Sequence, residues 1–262
     1  MIEIHYHLLY GVDDGPRDLA ASLALAEASI AEGVTHIVAT PHANFRYGFD
    51  PSLNRAKLEE LNQRLTGRVT LGLGCDFHLS IENVADAFEH PAEYTINGGR
   101  YLLVEFPDFA IPPNFSDVLY KFTLRGIVPI VTHPERNPVL LTKPELMKPW
   151  IRCGCLVQIT AASLVGKFGG RAQSFCHQIL KKNWVHLVAS DAHSVDRRPP
   201  MMEPACKSLT KAYGSETAER LCTVNTRAVF EGQALPEQPE PQDLDDYLPS
   251  RPHGILSMLF PR

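Results

Sequence analysis

The sequence predicts an α/β fold in which parallel strands are covered by helices. Seven short apolar runs rich in Ile, Val and Leu alternate with stretches of helical periodicity. Strands that are apolar on both faces are typical of parallel sheets, because helices cover both of these faces. Seven such units in 262 residues favour a closed barrel over an open sheet.

The predicted elements follow one another along the chain with short connections. Strands are expected at residues 2–8, 35–40, 69–77, 101–106, 128–132, 156–160 and 185–189. Helices are expected near 19–32, 54–65, 113–124, 143–148 and 172–182, and then near 202–213, 217–221 and 225–230. In the first helix, apolar or small residues recur with a period close to 3.6 residues, and Gly33 follows in the C-cap position.

The composition changes near the C-terminus. Residues 1–234 are expected to form one barrel domain, and residues 235–262 a tail that begins with many Pro and acidic residues. Such a stretch buries too little apolar surface to fold by itself, so we expect it to be partly disordered or docked. The apolar residues 254–260 are expected to dock on this chain or on a second copy, which leaves a homo-oligomer open.

Charge and hydropathy restrict the partners of the chain. Its net charge of -5 argues against nucleic acid, because phosphate contacts need clustered Lys and Arg. No apolar run approaches the roughly 20 residues that span a bilayer, so no membrane insertion is expected. The first strand begins next to Met1 and leaves no room for a signal peptide, which favours a cytoplasmic protein.

Three common catalytic arrangements are missing from the sequence. It contains no GxSxG nucleophile elbow and no Walker phosphate loop. The six cysteines form no CxxC pair and are expected to be reduced, mostly buried thiols. None of them has the C-x5-R spacing of cysteine phosphatases, and Cys222 to Arg227 is one residue short. Thiol catalysis is therefore not expected.

Residue types that bind metals recur at the ends of the predicted strands. Nine such side chains close or follow a strand: His5, His7, Asp14, His42, Asp76, Glu105, His133, Asp191 and His193. The C-terminal ends of barrel strands meet at one rim, where barrel enzymes hold their active sites. A buried polar group without a partner costs roughly 1–3 kcal/mol, whereas shared metal ions would satisfy these groups together. The sequence therefore predicts a metal centre at this rim.

The number and the types of the ligands restrict the metals. One zinc ion takes about four to five ligands, so nine candidates predict two or three ions that share a carboxylate. Imidazole and carboxylate without thiolate favour Mn, Fe, Zn or Mg over copper or an iron–sulfur cluster. Neighbouring ions can lower the pKa of a shared water to about 7 and bind a phosphoryl group, so hydrolysis is the expected reaction.

Three arginines near the same strand ends are candidates for binding phosphate. Arg136 follows the fifth strand, and Arg197 and Arg198 follow the seventh. The planar guanidinium suits phosphate because it donates to two oxygens at once, although any single surface Arg can also be merely solvated.

The remaining histidines are interpreted as structural, because an isolated His on a strand is usually a satisfied core or surface residue. They are His36, His90, His177, His186 and His253. His78 shares a strand face with Asp76, and its role as a ligand or a supporting group stays open.

Six motifs resemble the polymerase and histidinol phosphatase (PHP) superfamily. They are Ile4-His5-Tyr6-His7, Gly-Val-Asp-Asp-Gly, Ile-Val-Ala-Thr-Pro-His, Leu-Val-Glu-Phe-Pro, Thr-His-Pro-Glu-Arg and Ser-Asp-Ala-His, in this order. The most similar branch is the bacterial manganese-dependent tyrosine-protein phosphatases of the CpsB/CapC type, and the resemblance covers roughly residues 1–232. It implies a distorted (β/α)7 TIM-like barrel of the PHP type as a single domain.

The resemblance also implies three ions, with Mn expected, and assigns ligands to each. His5, His7, Asp76 and Asp191 would hold the first ion, Asp76, Glu105 and His133 the second, and Asp14, His42 and His193 the third. Arg136 and Arg198 match the arginines that bind phosphate in this branch. The family usually has Glu in place of Asp76, so here a shorter carboxylate would have to bridge two ions.

The reaction implied by the resemblance is hydrolysis of phosphotyrosine by a metal-bridging hydroxide. The implied substrate is the Tyr-rich tail of a bacterial tyrosine kinase, and the consequence is control of capsule or exopolysaccharide export. Two alternatives stay open. One is a PHP phosphoesterase for a small phosphomonoester such as histidinol phosphate. Many PHP relatives have His at the position of Asp14, so the Asp favours the tyrosine-phosphatase branch instead. The other is a non-catalytic metal-binding regulatory module.

Overall fold

The computed structural model describes residues 1–107, 111 and 115–244, and parallel strands form its centre. The strands are β1 (Ile2–Tyr6), β2 (His36–Ala39), β3 (His42–Ala43), β4 (Thr70–Leu73), β5 (Asp76–His78), β6 (Tyr101–Glu105), β7 (Val128–Thr132), β8 (Leu156–Thr160) and β9 (Leu187–Ala189). The helices are α1 (Leu19–Ala31), α2 (Pro51–Arg64), α3 (Ile81–Glu89), α4 (Pro91–Tyr94), α5 (Phe115–Leu124), α6 (Lys148–Arg152), α7 (Ala161–Leu164), α8 (Gly170–Lys181), α9 (Met202–Tyr213), α10 (Ser215–Glu219) and α11 (Asn225–Phe230).

Two sheets, ordered β1-β2-β4 and β3-β5-β6-β7-β8-β9, together form one barrel. Strands β2 and β3 follow one another along a single path that is interrupted at Pro41, which has no N–H to donate. Strands β4 and β5 are related in the same way, so the barrel has seven strand positions. It closes between β9 and β1, where the Asp191 N–H donates to the His5 carbonyl at 3.0 Å and the His7 N–H donates to the Ala192 carbonyl at 3.0 Å. The predicted seven-stranded parallel barrel is thus confirmed.

Apolar side chains form two layers on either side of the strands. An inner cluster combines side chains of β1, β2, β6, β7, β8 and β9 with Val229 of α11. Alternate residues of a strand point to opposite faces, so Leu103 of β6 lies in this inner cluster and Val104 lies between the strands and the helices. The inner cluster fills the barrel beneath the polar C-terminal strand ends. We call the end formed by these strand ends the barrel mouth.

A β-bulge in β1 determines which of its side chains reach the interior. Position 3 pairs with position 37 but position 6 pairs with position 39, so β1 contains one extra residue. Ile4 packs in the inner cluster, and His5, the next residue, also lies inside at the mouth. Tyr6 points outward, where its hydroxyl donates to the Leu25 carbonyl of α1 at 2.7 Å. The bulge therefore places His5 directly above an apolar floor.

Most of the predicted helices are confirmed with small shifts of their ends. Helix α2 begins at Pro51, three residues earlier than predicted. The carboxylate of Asp50 accepts the N–H groups of Ser52 and Leu53, and proline suits the first helical position. Helix α5 corresponds to the prediction at 113–124, of which residues 113 and 114 lie outside the described residues. After α10, a π-helical segment over Arg220–Val224 leads into α11.

The helix predicted near 143–148 is wrong in extent. A 3-10 turn over Pro144–Met147 is followed by α6, so the chain forms two short pieces here. Both pieces have proline in their first turn, because proline lacks the N–H that a helix interior needs. Helix α3 was not predicted, although Ser80 caps it by accepting the Asn83 N–H at 3.2 Å.

The segment that follows α11 lies along the barrel. The indole N–H of Trp184 donates to the Gln242 carbonyl at 2.7 Å, and the Gln242 N–H donates to the Lys182 carbonyl at 2.9 Å. Residues 245–262, including the apolar residues 254–260 whose docking was expected, lie outside the described residues. The domain boundary at 234 stays a prediction. None of the described helices has the length and hydropathy that crossing a bilayer requires.

Candidate metal centre

All nine side chains predicted as metal ligands converge at the barrel mouth. Their nitrogen and oxygen atoms form four overlapping groups, and within each group these atoms lie within 4.8 Å of one another. The groups are His7, Asp14, His42 and His193; His5, His7 and Asp76; His5, His133 and Asp191; and His42, Asp76 and Glu105. The parallel strands bring these residues together because their C-terminal ends all lie at one end of the barrel.

Two hydrogen bonds orient the imidazoles of the first strand. The Nδ1 atom of His5 lies 2.9 Å from Oε1 of Gln158 in β8, and Nδ1 of His7 lies 2.8 Å from Oδ2 of Asp13. An amide oxygen and a carboxylate both accept, so each Nδ1 donates, and each Nε2 faces the centre, where it presents a lone pair when the ring is neutral. Partners of this kind fix the tautomer and the ring orientation of histidines that bind metals.

The carboxylate of Asp76 lies at the middle of the centre. Its Oδ2 atom is 3.1 Å from Nδ1 of His42, 3.4 Å from Nε2 of His5 and 3.8 Å from Nε2 of His7. The side chain is fully buried, and neither of its oxygens accepts a hydrogen bond from the described residues. The carboxylate of Asp76 thus faces three imidazoles at once, and its bridging of two ions stays a prediction.

The unsatisfied atoms of the centre fit divalent cations. Five buried atoms of the candidate ligands have no hydrogen-bond partner in the described part of the chain: Nε2 of His5, Nε2 of His7, Nδ1 of His42 and both oxygens of Asp76. A buried polar group without a hydrogen-bond partner lowers the stability of the fold by roughly 1–3 kcal/mol. These atoms all face a common centre, where a bound cation would contact several of them. The set contains imidazole and carboxylate and no thiolate, which suits Mn, Fe, Zn or Mg.

Two arginines contact the far oxygen of Asp191. Arg136 donates to Oδ2 of Asp191 through Nη1, and Arg198 donates to the same oxygen through Nη2 at 2.5 Å. The other oxygen of Asp191 lies 3.4 Å from Nε2 of His5 and 3.3 Å from Nε2 of His7. The carboxylate of Asp191 thus faces two candidate ligands with one oxygen and two guanidinium groups with the other. Both arginines therefore lie beside the centre.

The third arginine candidate lies differently. Arg197 is exposed, and its described hydrogen bonds are those of its backbone N–H, to Ser194 and to Asp196. Arg198, by contrast, is half-buried and its Nη1 lies 2.9 Å from Nε2 of His193. The structure therefore brings Arg136 and Arg198 to the metal centre and leaves the Arg197 side chain at the surface.

Charges at the mouth shift one another's pKa values. Burial disfavours the charged imidazole of His5, but the carboxylates of Asp76 and Asp191 outweigh it and raise the His5 pKa to about 9. Burial also opposes ionisation of Asp76, yet the adjacent imidazoles of His5 and His42 hold its pKa well below its usual range. Burial and the negative charge of Asp76 raise the Glu105 pKa to about 8. The raised pKa of His5 shows that the carboxylates of Asp76 and Asp191 attract positive charge to the centre.

Comparisons with known proteins agree with this geometry. Residues 1–231 match the family described as capsular polysaccharide synthesis, CpsB/CapC. The chain belongs to the CpsB/CapC family. The tyrosine-protein phosphatase YwqE of Bacillus subtilis is 34% identical over 243 residues, which cover 91% of this chain and 95% of that protein. The tyrosine-protein phosphatase CpsB of Streptococcus pneumoniae is 29% identical over 244 residues, covering 90% of this chain and all of that protein.

A solved structure of this CpsB/CapC family superimposes on the whole barrel. It comes from the crystal structures of YwqE from Bacillus subtilis and CpsB from Streptococcus pneumoniae, described as unique metal-dependent tyrosine phosphatases. The TM-score is 0.86 at 33% identity, with 92% of this chain and 99% of the other covered. A beta-aspartyl dipeptidase of Fervidobacterium islandicum shares only the fold, with a TM-score of 0.57 at 12% identity, 88% of this chain and 72% of that chain being covered.

Backbone strain accompanies two of the candidate ligands in this family member. His133 has a φ of 33° and Asp191 a φ of 53°, both in the left-handed region that disfavours residues with a Cβ. Strain of this kind persists where the surrounding structure overdetermines it, which is common at functional sites. It turns both side chains inward as their strands end.

Assigning the ligands to particular ions stays a prediction. The geometry reproduces a group around His5, His7 and Asp76 and a group around Asp14, His42 and His193. It places Glu105 with His42 and Asp76, and His133 with His5 and Asp191, instead of joining Glu105 and His133 in one group. Nε2 of His133 is nonetheless only 3.6 Å from Oε1 of Glu105.

The residues that orient the histidines were not predicted. Asp13 was seen only as the neighbour of Asp14, and Gln158 only as part of a buried strand. A signal existed for Gln158, because it is a polar residue inside the otherwise apolar run of β8. His78 lies opposite Glu105 in the β5–β6 ladder and belongs to none of the four groups found among the described residues.

Histidines interpreted as structural have local partners. Nδ1 of His186 lies 3.1 Å from the Val157 N–H, and Nδ1 of His177 lies 2.8 Å from the Tyr213 hydroxyl. Both side chains lie outside the four groups at the mouth. His253 lies outside the described residues.

Proposed function

We propose that this chain is a metal-dependent protein-tyrosine phosphatase that acts on a bacterial tyrosine kinase in capsule or exopolysaccharide synthesis. The observation that carries the proposal is the juxtaposition of nine candidate ligands with the guanidinium groups of Arg136 and Arg198. Family membership supports it, because the similar proteins of Bacillus subtilis and Streptococcus pneumoniae are named tyrosine-protein phosphatases.

The proposed cofactors are two or three divalent ions, with Mn²⁺ as the first candidate. When bound, such ions activate water and neutralise phosphoryl oxygens. The residues that would hold them are His5, His7, Asp14, His42, Asp76, Glu105, His133, Asp191 and His193. Gln158 and Asp13 keep the imidazoles of His5 and His7 in the orientation that this binding requires.

Phosphate binding is assigned to Arg136 and Arg198. Their shared contact with Asp191 holds both guanidinium groups beside the ligands, so their remaining N–H groups can donate to phosphoryl oxygens. Negative charge that develops on these oxygens during attack is stabilised by donors that are already in place. Arg197 is a weaker candidate that would reach the phosphate only from the surface.

A tyrosine leaving group fits the residues at the mouth. Its unperturbed pKa is near 10, so a phenolate departs with little help from a general acid. The alkoxide of a small aliphatic phosphomonoester is a much stronger base and needs such an acid. Protonated histidine is not available for this role where the imidazole is a metal ligand, which favours an aryl phosphate.

A polypeptide substrate is supported by apolar side chains around the mouth. Among the described residues, three exposed large apolar side chains follow strands whose ends carry candidate ligands, namely Phe45, Ile81 and Val195, and a fourth, Phe168, follows β8. Phe45 is 97% exposed and Ile81 86% exposed. Exposed apolar groups that surround a polar site are typical of a surface that receives another protein.

The experiment that tests this function compares two substrates on the purified protein. A phosphotyrosine peptide and histidinol phosphate are offered with Mn²⁺ and again after chelation. We expect metal-dependent turnover of the peptide at a kcat/KM at least tenfold above that of histidinol phosphate. The reverse preference would establish the small-molecule alternative, and bound metal without turnover of either substrate would establish a non-catalytic module.

His7→Ala provides the matched variant for this experiment. It removes an imidazole that contacts two of the ligand groups, so turnover should vanish while the circular-dichroism spectrum stays unchanged. His177→Ala is the control, because His177 is a half-buried histidine bonded to Tyr213 away from the mouth. Full activity of His7→Ala would exclude the first strand from the site.

A further inference from the structure

Phe168 is held in a fixed position at the barrel mouth. It lies in the turn between α7 and α8, flanked by Gly166 with a φ of 82° and Gly169 with a φ of 89°. The Gly169 N–H donates to the Gly166 carbonyl at 3.0 Å, and the Lys167 N–H donates to the Ala162 carbonyl at 2.9 Å. Glycine is required where φ is positive, and these hydrogen bonds make the turn tight. The phenyl ring is thus presented by an ordered backbone.

The guanidinium group of Arg136 lies over the ring of Phe168. The guanidinium carbon lies 4.7 Å from the ring centroid, and the side chain of Phe168 is still 39% exposed. A guanidinium binds phosphate through its N–H groups, and the phenyl ring, which has no acceptor atom in the ring plane, does not compete for them. Because Phe168 contacts Arg136, a group esterified to a phosphate on Arg136 would lie near the exposed part of the phenyl ring.

We propose that Phe168 is a specificity residue that packs against the aryl ring of phosphotyrosine while Arg136 binds its phosphate. The inference rests on the proposed function and adds the residue that recognises the leaving group. Aromatic rings prefer edge-to-face or offset contacts, and the exposed ring of Phe168 offers either to a neighbouring ring. An aliphatic phosphomonoester would gain no such contact.

The test measures KM and kcat for a phosphotyrosine peptide together with inhibition by inorganic phosphate, which has no ring. For Phe168→Ala we expect KM to rise about threefold to tenfold, the size of an aromatic pair contact. The value of kcat should change less than twofold, because the ring contact is the same before and during the reaction. Inhibition by inorganic phosphate should stay within twofold of the wild type.

Two further variants complete the design. Phe168→Tyr keeps the ring and should restore the wild-type KM. Leu124→Ala removes a side chain that is 67% exposed at the end of α5, opposite the mouth, and should have no effect. If Phe168→Ala weakened inhibition by inorganic phosphate as much as peptide binding, Phe168 would act only by positioning Arg136 and the inference would be overturned.

The inference and the proposed function can fail separately. A wild-type protein that binds metal but does not hydrolyse the phosphotyrosine peptide overturns both. An active wild type whose KM is unchanged by Phe168→Ala overturns the assignment of Phe168 alone.

Discussion

Oδ2 of Asp13 lies 2.8 Å from Nδ1 of His7, and the same oxygen accepts the His42 N–H at 3.2 Å. The other oxygen of Asp13 accepts the Gly15 N–H at 2.9 Å. Although burial opposes its ionisation, the charge of His7 holds the Asp13 pKa below its usual value. This carboxylate therefore stays ionised, fixes the tautomer of His7 and ties together the two loops that carry His7 and His42.

Asp13→Ala should weaken metal binding without unfolding the barrel. Partners that orient a metal-binding histidine are worth roughly 10–100-fold in affinity, so we expect a loss of this size in a calorimetric Mn²⁺ titration. Asp13→Asn should lose less, because its amide oxygen can still accept from Nδ1 of His7. Asp18→Asn is the control, since Asn also caps the N-terminus of α1. Unchanged affinity in Asp13→Ala would show that the contact is not needed for binding.

Gln158→Leu should have a similar effect through His5. It keeps the buried volume of β8 but removes the only acceptor that the described residues provide for Nδ1 of His5, at 2.9 Å. We expect the Mn²⁺ affinity to fall roughly tenfold or more. Gln158→Glu restores an acceptor and should bind metal better than Gln158→Leu. Equal affinities of these two variants would contradict an orienting role.

Asp76 should tolerate a longer carboxylate better than a neutral one. Asp76→Asn removes the charge that three imidazoles face, so at least one ion per chain should be lost in elemental analysis. The accompanying loss in kcat/KM should be roughly 100–1000-fold. Asp76→Glu keeps the charge and should retain its metal, with a stability loss of about 1–3 kcal/mol from the extra methylene in a fully buried site. Metal loss in Asp76→Glu alone would show that spacing matters more than charge.

The convergence of the nine candidate ligands could be predicted because it follows from strand geometry. An apolar run marks each strand, and parallel strands in a barrel end on the same side, so residues such as Glu105 and His133 come close together. The pairs at i and i+2 share a strand face, and both Nε2 of His5 and Nε2 of His7 indeed lie near Asp191.

Features that depend on distant partners could not be predicted. The bulge at Ile4 and His5 is visible only in the pairing of β1 with β2. Gln158 is recognisable as a partner of His5 only when β8 and β1 are placed in the same barrel. The contact between Phe168 and Arg136 could not be predicted either, because the local sequence of a glycine-rich turn does not indicate which distant side chain the turn will contact.

Removing the metal should lower the thermal stability of the protein. Ligands that bind only the folded state stabilise it by about 2.7 kcal/mol at a concentration of one hundred times Kd. For a chain of this size we expect chelation to lower Tm by roughly 5–10 °C, and Mn²⁺ to restore it in a thermal-shift assay. Asp76→Asn should show a smaller shift with the same chelator. A Tm that does not respond to chelation in the wild type would contradict a bound ion.

The free energy of unfolding of the metal-free protein should also decrease as the pH is lowered, because of His186. Its Nδ1 accepts the Val157 N–H at 3.1 Å, which requires an unprotonated nitrogen. Burial, assisted by the charge of Arg220, lowers the His186 pKa from 6.5 to about 4. In the unfolded chain His186 therefore becomes protonated below about pH 6.5, whereas in the folded protein it stays neutral down to about pH 4. This contribution to the free energy of unfolding is complete above pH 6.5 and is lost as the pH falls towards 4.

Urea unfolding of the chelated protein at pH 7 and at pH 5 measures the contribution of His186 to the free energy of unfolding. His186→Asn removes the titrating group and offers an amide oxygen to the Val157 N–H. The drop in unfolding free energy between the two pH values should then be about 2 kcal/mol smaller than in the wild type. Exposed His90→Asn serves as the control and should leave the drop unchanged. An equal pH dependence of His186→Asn and wild type would mean that His186 takes up its proton without disturbing the fold, and that acid acts on stability through the ligands at the mouth instead.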